Sequence, residues 1–308
     1  MDELILNKQN YFFDSLITIK TDSSSNFIKA RKYIGICNEY KYCKIMVYGT
    51  RALDLLNSIS SKKLNESSFK GGYTLLMKKK NLISEVLILK LSALRYLVLT
   101  ENAKKTYKFL NKIKRKFPLT TVNDVTQNHT LFSFHGEKSI NFLDALKSPN
   151  LYKVKRQNYQ HYVFISPKKN ELQVIEYFKN LNFIPISLET KNLFLYNNSV
   201  ITNLDKIKKN MRKYVYDLVY KSNTFSYIKK DNPFEIKQFE LSDYAIPLKN
   251  TPIYHKKFLR CGKIYYSYKL PNKKFPYILC IVKKDKVSKN AILKDGKKEI
   301  LLKQFINY

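Results

Sequence analysis

The chain has 308 residues, 44% of them apolar and 14% aromatic, which excludes a disordered chain and allows two or three domains around a sizeable core. No apolar run approaches the ~18 residues of a membrane span, so a soluble globular protein without a membrane partner is expected. Lysine and arginine number 57 against 24 acids, a net charge of +33, yet codon drift toward AT is the better account of it: Lys, Asn, Ile, Tyr and Phe abound, while Gly is 7, Pro 9 and Trp 0.

The segment "TDSSSNFIKARKYIGIC" opens on the polar cluster Ser23 to Ser25, with Phe27, Ile28, Ile34 and Ile36 at roughly helical spacing, and predicts a capped helix. "KYCKIMVYG" predicts a strand ending at Gly49, and "TRALDLLNSISSKKL" a helix with Ala52, Leu55, Leu56 and Ile59 on one face. Two strands, "GGYTLLMK" and "LISEVLILKLS", joined by Lys79 to Asn81, and a third, "RYLVLTE", make an antiparallel meander. "NAKKTYKFLNKIKRKF" reads as an amphipathic helix with Tyr107, Leu110 and Ile113 against lysines, and "TVNDVT" and "HTLFSFHG" as strands. This is an α+β unit from about Val47 to Phe134. A helix at "ELQVIEYFKNL" follows in a mixed region, and from about Lys237 strand-like blocks alternate with turns, as in a small closed β domain.

Cysteines Cys37, Cys43, Cys261 and Cys280 form no Cys-x-x-Cys pair, and His129, His135, His161 and His255 are dispersed, so no metal site is expected. Few cysteines and no evident secretory signal or presequence in "MDELILNKQNYFFDSL" predict a reducing compartment, the cytoplasm or, in a eukaryote, the mitochondrial matrix.

Over nearly its whole length the chain resembles the glycine-cleavage T-protein (aminomethyltransferase) family. The words that carry this are "FIKARKYIGICNEYKYCKIMVYGTRALDLLNSI" with Gly35 and Gly49, the hairpin "GGYTLLMKKKNLISEVLILKL", and "TLFSFHGEKSINFLDAL", which keeps Gly136 and Lys138 of a strand-to-helix turn. "IPISLETKNLFLYNN" and the C-terminal segment from "FELSDYAIP" to "YILCIV" are similar to later parts of the family. The resemblance implies an α+β three-domain cloverleaf. Residues 1–46 with 135–235 would form a discontinuous folate-binding domain, 47–134 an inserted α+β domain, and 236–308 a C-terminal β-barrel. It further implies tetrahydrofolate as cofactor and a lipoyl carrier protein as donor of the aminomethyl group.

In the family two adjacent aspartates occupy the positions of Ser84 and Glu85, and the second lies beside the folate nitrogens. The resemblance therefore makes Glu85 the catalytic candidate, a carboxylate that stabilises a cationic iminium and steers proton transfer. On this reading Glu85→Gln leaves folding intact and abolishes transfer. The alternative is a solvated acid alternating outward on a half-exposed strand. The resemblance also points to Tyr73, Ser84, Asn102, Glu189 and Tyr196 as cofactor-binding, with Tyr73, Tyr96, Tyr159 and Tyr196 as stacking candidates that packing alone also explains. Departures are plain: Asn38 stands where the family has an acid, and Asn102 matches only with a register shift. "VKRQNYQHYVFISPKK" lacks the glycine-rich folate loop, and Glu189 aligns as the pterin anchor only by sliding the segment. A non-catalytic folate-binding or interaction scaffold is the second reading. An RNA-associated protein, supported by charge alone, is the third, and sequence-specific nucleic-acid binding is not expected.

Overall fold

The computed structural model describes residues 23–64, 69–78, 81–202, 204, 215, 233–242, 246–248, 251–255, 260–271, 273–284, 291–295 and 298–304. The N-terminal stretch "MDELILNKQNYFFDSL" and the turn residues Lys79 and Lys80 lie outside the described residues. The chain divides into two compact units, Met1–Phe194 with Asn203–Lys206, and Leu195–Thr202 with Ile207–Tyr308.

The first unit opens with α1 (Ser23–Lys32), β1 (Gly35–Asn38), β2 (Cys43–Gly49) and α2 (Ala52–Ile59), and α2 buries Ala52, Leu55, Leu56 and Ile59, the stripe its periodicity predicts. β3 (Gly71–Lys78), β4 (Asn81–Ser92), β5 (Arg95–Thr100), α3 (Ala103–Lys114) and β6 (Thr120–Asp124) follow. They build a sheet in the order β3-β4-β5-β2-β6, which contains the expected meander. Its core, with Ile45, Val47, Leu55, Leu56, Leu76, Ile88, Val98 and Leu110, is sealed by α2 and α3.

A second sheet takes strands from both sides of that stretch. β7 (His129–His135), α4 (Ser139–Ala145), β8 (Leu151–Arg156), β9 (Tyr159–Pro167), α5 (Glu171–Asn180), β10 (Ile184–Pro185) and α6 (Leu188–Asn197) complete the run, and the sheet order is β10-β1-β7-β9-β8. Strand β7, read from sequence as the end of the α+β unit, pairs here with β1 and β9. The two sheets meet where β3 packs against β8.

The second unit is a closed six-stranded barrel, as expected for the C-terminal region. It comprises β11 (Phe234–Leu241), β12 (Pro252–His255), β13 (Arg260–Tyr268), β14 (Tyr277–Lys283), β15 (Ala291–Asp295) and β16 (Lys298–Gln304), in the order β11-β14-β13-β12-β15-β16. Pairing of Phe239 with Gln304 closes it, which removes the free sheet edges. Phe239, Ile253, Ile264, Ile278 and Val282 fill it, together with Cys261 and Cys280 as buried thiols.

One turn fixes the passage from β7 to α4. Gly136 has φ 116°, and a Cβ there would stand 2.2 Å from the carbonyl oxygen of Ala30 and 2.7 Å from that of Tyr33. Gly136→Ala is therefore expected to destabilise the protein by about 2 kcal/mol or more in urea denaturation. Gly72, where a Cβ would make only an ordinary 3.5 Å contact with Phe69, is the control and should tolerate Ala with little change. Equal effects at the two glycines would contradict the assignment.

Candidate functional site

Neighbouring residues of a strand point to opposite faces, and β4 uses this at Ser84 and Glu85. Ser84 is buried on the α3 side, its Oγ 2.9 Å from Thr100 Oγ1, which in turn lies 3.4 Å from Thr106 Oγ1 on α3. The backbone N–H of Asn102 donates to the same Thr100 Oγ1 at 3.0 Å, so Asn102 belongs with Ser84 on that side.

Glu85 enters from the other face and meets Arg156, the last residue of β8. Arg156 Nε donates to Oε1 at 3.3 Å and a terminal nitrogen donates to Oε2 at 2.6 Å, a bidentate pair whose side chains are only 6% (Arg156) and 10% (Glu85) exposed. The guanidinium also lies 5.1 Å over the ring of Tyr73. Burial alone would lower the Arg156 pKa, but Glu85, Tyr42 and Tyr73 hold it well above the ordinary value. Glu85 is thus not a solvated acid on a half-exposed strand. Nor would Glu85→Gln leave folding intact, because it strands a buried guanidinium, at a cost of about 3–5 kcal/mol.

A second buried pair lies in the same unit. Lys191 of α6 donates to Glu39 Oε2 at 2.8 Å, and Ser133 donates to Oε1 at 2.5 Å. Ser133 Oγ is also 2.8 Å from His135 Nε2, whose Nδ1 is 3.0 Å from Tyr159 Oη. Ser133 has one proton and gives it to Glu39, so His135 Nε2 must carry a hydrogen and Nδ1 must accept from Tyr159. Burial lowers the Lys191 ammonium, but Glu39 and Cys37 raise it to about 12. Cys37 is an inert thiol, its pKa pushed up first by burial and then by Glu39.

Rings join the two pairs. His161 lies 5.4 Å from His135, 5.4 Å from Tyr159 and 5.9 Å from Tyr73, and its Nδ1 has no hydrogen-bond partner among the described residues. Tyr42, whose ring sits 5.7 Å beneath Lys191 Nζ, feels the charges of Arg156, Glu39 and Glu85, and burial pushes its phenol pKa up.

Of the residues expected from sequence, the structure brings together Glu85 and Tyr73, through Arg156. Glu189 is exposed in the first turn of α6, where Lys191 is the residue that turns inward. Tyr196 belongs to the second unit and stacks there on Tyr266, 3.8 Å between centroids. Tyr96 is core. Asn38 donates to the buried Glu171 at 3.2 Å, and its neighbour Glu39 is buried as well. Sequence reasoning missed Arg156, Glu39, Lys191, Ser133 and His135. The available signal was in β7, where polar Ser133 and His135 alternate with Phe132 and Phe134. Among the described residues no group of three or more His, Cys, Asp or Glu is placed to hold a metal ion.

A family model described as the GCVT N-terminal domain matches residues 9–174, more than half of the chain. The fold is similar to that of the glycine cleavage system aminomethyltransferase T from Bartonella henselae, with 13% identity over 91% of this chain and 87% of that one and a TM-score of 0.69. At that identity the likeness speaks for the fold alone. A heterotetrameric sarcosine oxidase from Corynebacterium sp. U-96 is a more distant match, with 12% identity over 45% of this chain and 78% of that one and a TM-score of 0.33. No curated protein matches the sequence.

The buried His161 predicts a pH dependence. Burial first, then Arg156 and Lys191, lower its pKa from 6.5 to about 3, so between these values the unfolded chain binds the proton and the folded chain does not. Stability conferred by the neutral ring is complete above pH 6.5 and falls as the pH drops toward 3. Urea midpoints of wild type should therefore fall more steeply with acid than those of His161→Gln, by roughly 2 kcal/mol at pH 5. Parallel curves would contradict the burial of a neutral His161.

Proposed function

The chain belongs to the GCVT N-terminal domain family, and on that footing we propose that it is a divergent tetrahydrofolate-dependent one-carbon transferase of the aminomethyltransferase type. The observation that carries this reading is the buried Glu85–Arg156 pair set on Tyr73. Apolar residues of similar volume would stabilise such a junction as well or better, so a charged pair kept there is better explained by work on a polar ligand than by stability.

The side chains at this centre have the chemistry a reduced folate calls for, although Tyr73, Arg156 and His161 are buried against one another, so a bound folate requires that packing to open. Its ring needs aromatic faces and polar partners, and Tyr73, Tyr159 and the unsatisfied Nδ1 of His161 stand beside a carboxylate and a guanidinium. Tyr73 and His161 would hold the ring, with Glu85 and Arg156 flanking it. Tetrahydrofolate, when bound, supplies the nitrogen that accepts the one-carbon unit. Arg156 fixes both oxygens of Glu85, so Glu85 acts by position and field, stabilising positive charge that develops close to it. His161, whose pKa is lowered to about 3, is a neutral acceptor at physiological pH. In this reading a lipoyl carrier protein delivers the aminomethyl group, in the cytoplasm or the mitochondrial matrix. The same reading carries the three-domain division 1–46 with 135–235, 47–134 and 236–308. A sheet that takes strands from both sides of an inserted stretch supports it, with the edges of that stretch at Cys43 and Asp124 and β7 on the side of the first domain.

A specific observation favours the second reading, a non-catalytic folate-binding or interaction scaffold. Arg156 engages both Glu85 oxygens and offsets their charge, and Ser84, Asn102 and Glu189 stand away from them.

Calorimetry with tetrahydrofolate, paired with an assay for transfer from an aminomethylated lipoyl carrier, separates these. Detectable binding at millimolar ligand, stabilisation of about 1 kcal/mol, and loss of both in Tyr73→Ala are expected. Transfer that disappears in Glu85→Gln under conditions where that variant is still folded supports the enzyme. Binding without transfer supports the scaffold, and no binding at millimolar ligand removes the folate from both.

A further inference from the structure

We infer that the exposed face of α3 binds the phosphate backbone of single-stranded RNA, without reading its bases. Helix α3, "AKKTYKFLNKIK", carries five lysines and no acid. Lys104, Lys105, Lys108 and Lys112 are exposed, and Arg115 and Lys116 continue the row beyond its last turn. Lys104, Lys108 and Lys112 recur every fourth residue, so their ammonium groups line one face about 6 Å apart. Among the described residues, none of the six forms an ion pair. The arrangement costs the isolated helix stability twice. Like charges at i and i+4 repel, and Lys104 and Lys105 sit in the first turn, at the positive end of the helix dipole, where no acid is present. Some other cations of the unit are paired, as at Arg156, Lys191 and Lys153.

The spacing suits a repeating polyanion better than one small anion. The apolar face of α3 is already used, since Phe109 and Leu110 are core and Tyr107 and Ile113 pack against it, so nothing remains to enter a lipid interface. Helix α3 also lies against β4 and β6, which keeps it from sinking into a duplex major groove. What remains is contact with the backbone of a strand, governed by charge and counterion release.

The test uses the full chain and a labelled oligouridylate, with fluorescence anisotropy across a salt series. A triple variant, Lys104→Gln, Lys108→Gln and Lys112→Gln, is compared with a control of equal charge, Lys155→Gln, Lys169→Gln and Lys179→Gln, all exposed residues of the other sheet region. Gln keeps helix propensity, and circular dichroism melts check that both fold. Affinity at physiological salt should fall about tenfold or more in the α3 variant, with the slope of log K against log salt reduced by about 2, and should stay within about twofold in the control. Equal losses in the two variants, or no binding by wild type, would overturn the inference. So would loss of binding to phosphatidylserine vesicles in the α3 variant with RNA binding unchanged, which would make the partner a membrane surface.

Discussion

A buried charge must be met by a partner or it unfolds the structure around it, and this constraint organises the first unit. Among the described residues of this unit three acids are buried or nearly so, and each is answered. Glu85 has Arg156, Glu39 has Lys191 and Ser133, and Glu171 has Lys168, Asn38 at 3.2 Å and Thr130 at 3.1 Å. Each pairing ties together elements that chain order separates: β4 to β8, the end of β1 to α6, and β1 and β7 to the start of α5. Apolar packing holds each sheet to its helices, but these polar ties specify how β4, β8, β1 and α6 are arranged around one centre. The aromatic and histidine rings between the ties fill the space that water would otherwise enter.

Local elements were readable because hydrophobic periodicity is a local signal. The α2 stripe, the meander and the closed C-terminal barrel all follow from spacing and turn residues. The allocation of β7 was not readable in this way, because its ends continue the inserted region in sequence while its hydrogen bonds go to β1 and β9. Sheet membership is decided by partners far along the chain, which no window of neighbouring residues contains.

The site shows the same division. Family resemblance pointed to Glu85 and Tyr73, and the fold places both at one centre. It could not supply Arg156, 71 residues from Glu85, or Lys191, 152 residues from Glu39. Ser84 and Asn102 were also drawn in by the family resemblance, whereas the pleat sends Ser84 to the α3 face. In α6, Glu189 has the right chemistry for a pterin anchor, but the helix turns Lys191 inward two residues later. The buried His161, whose Nδ1 has no side-chain partner among the described residues, is the feature that no sequence pattern announces, since it is defined by what surrounds it.

The central claim is that Glu85 and Arg156 act as a coupled pair rather than as two independent surface groups. A double-mutant cycle with Glu85→Leu, Arg156→Met and the double variant, followed by urea denaturation at neutral pH, tests this most directly. The account predicts that each single variant is destabilised by about 3 kcal/mol or more and that the double variant recovers much of the loss, a coupling energy of at least about 1.5 kcal/mol. Losses that simply add, to within about 0.5 kcal/mol, would contradict it.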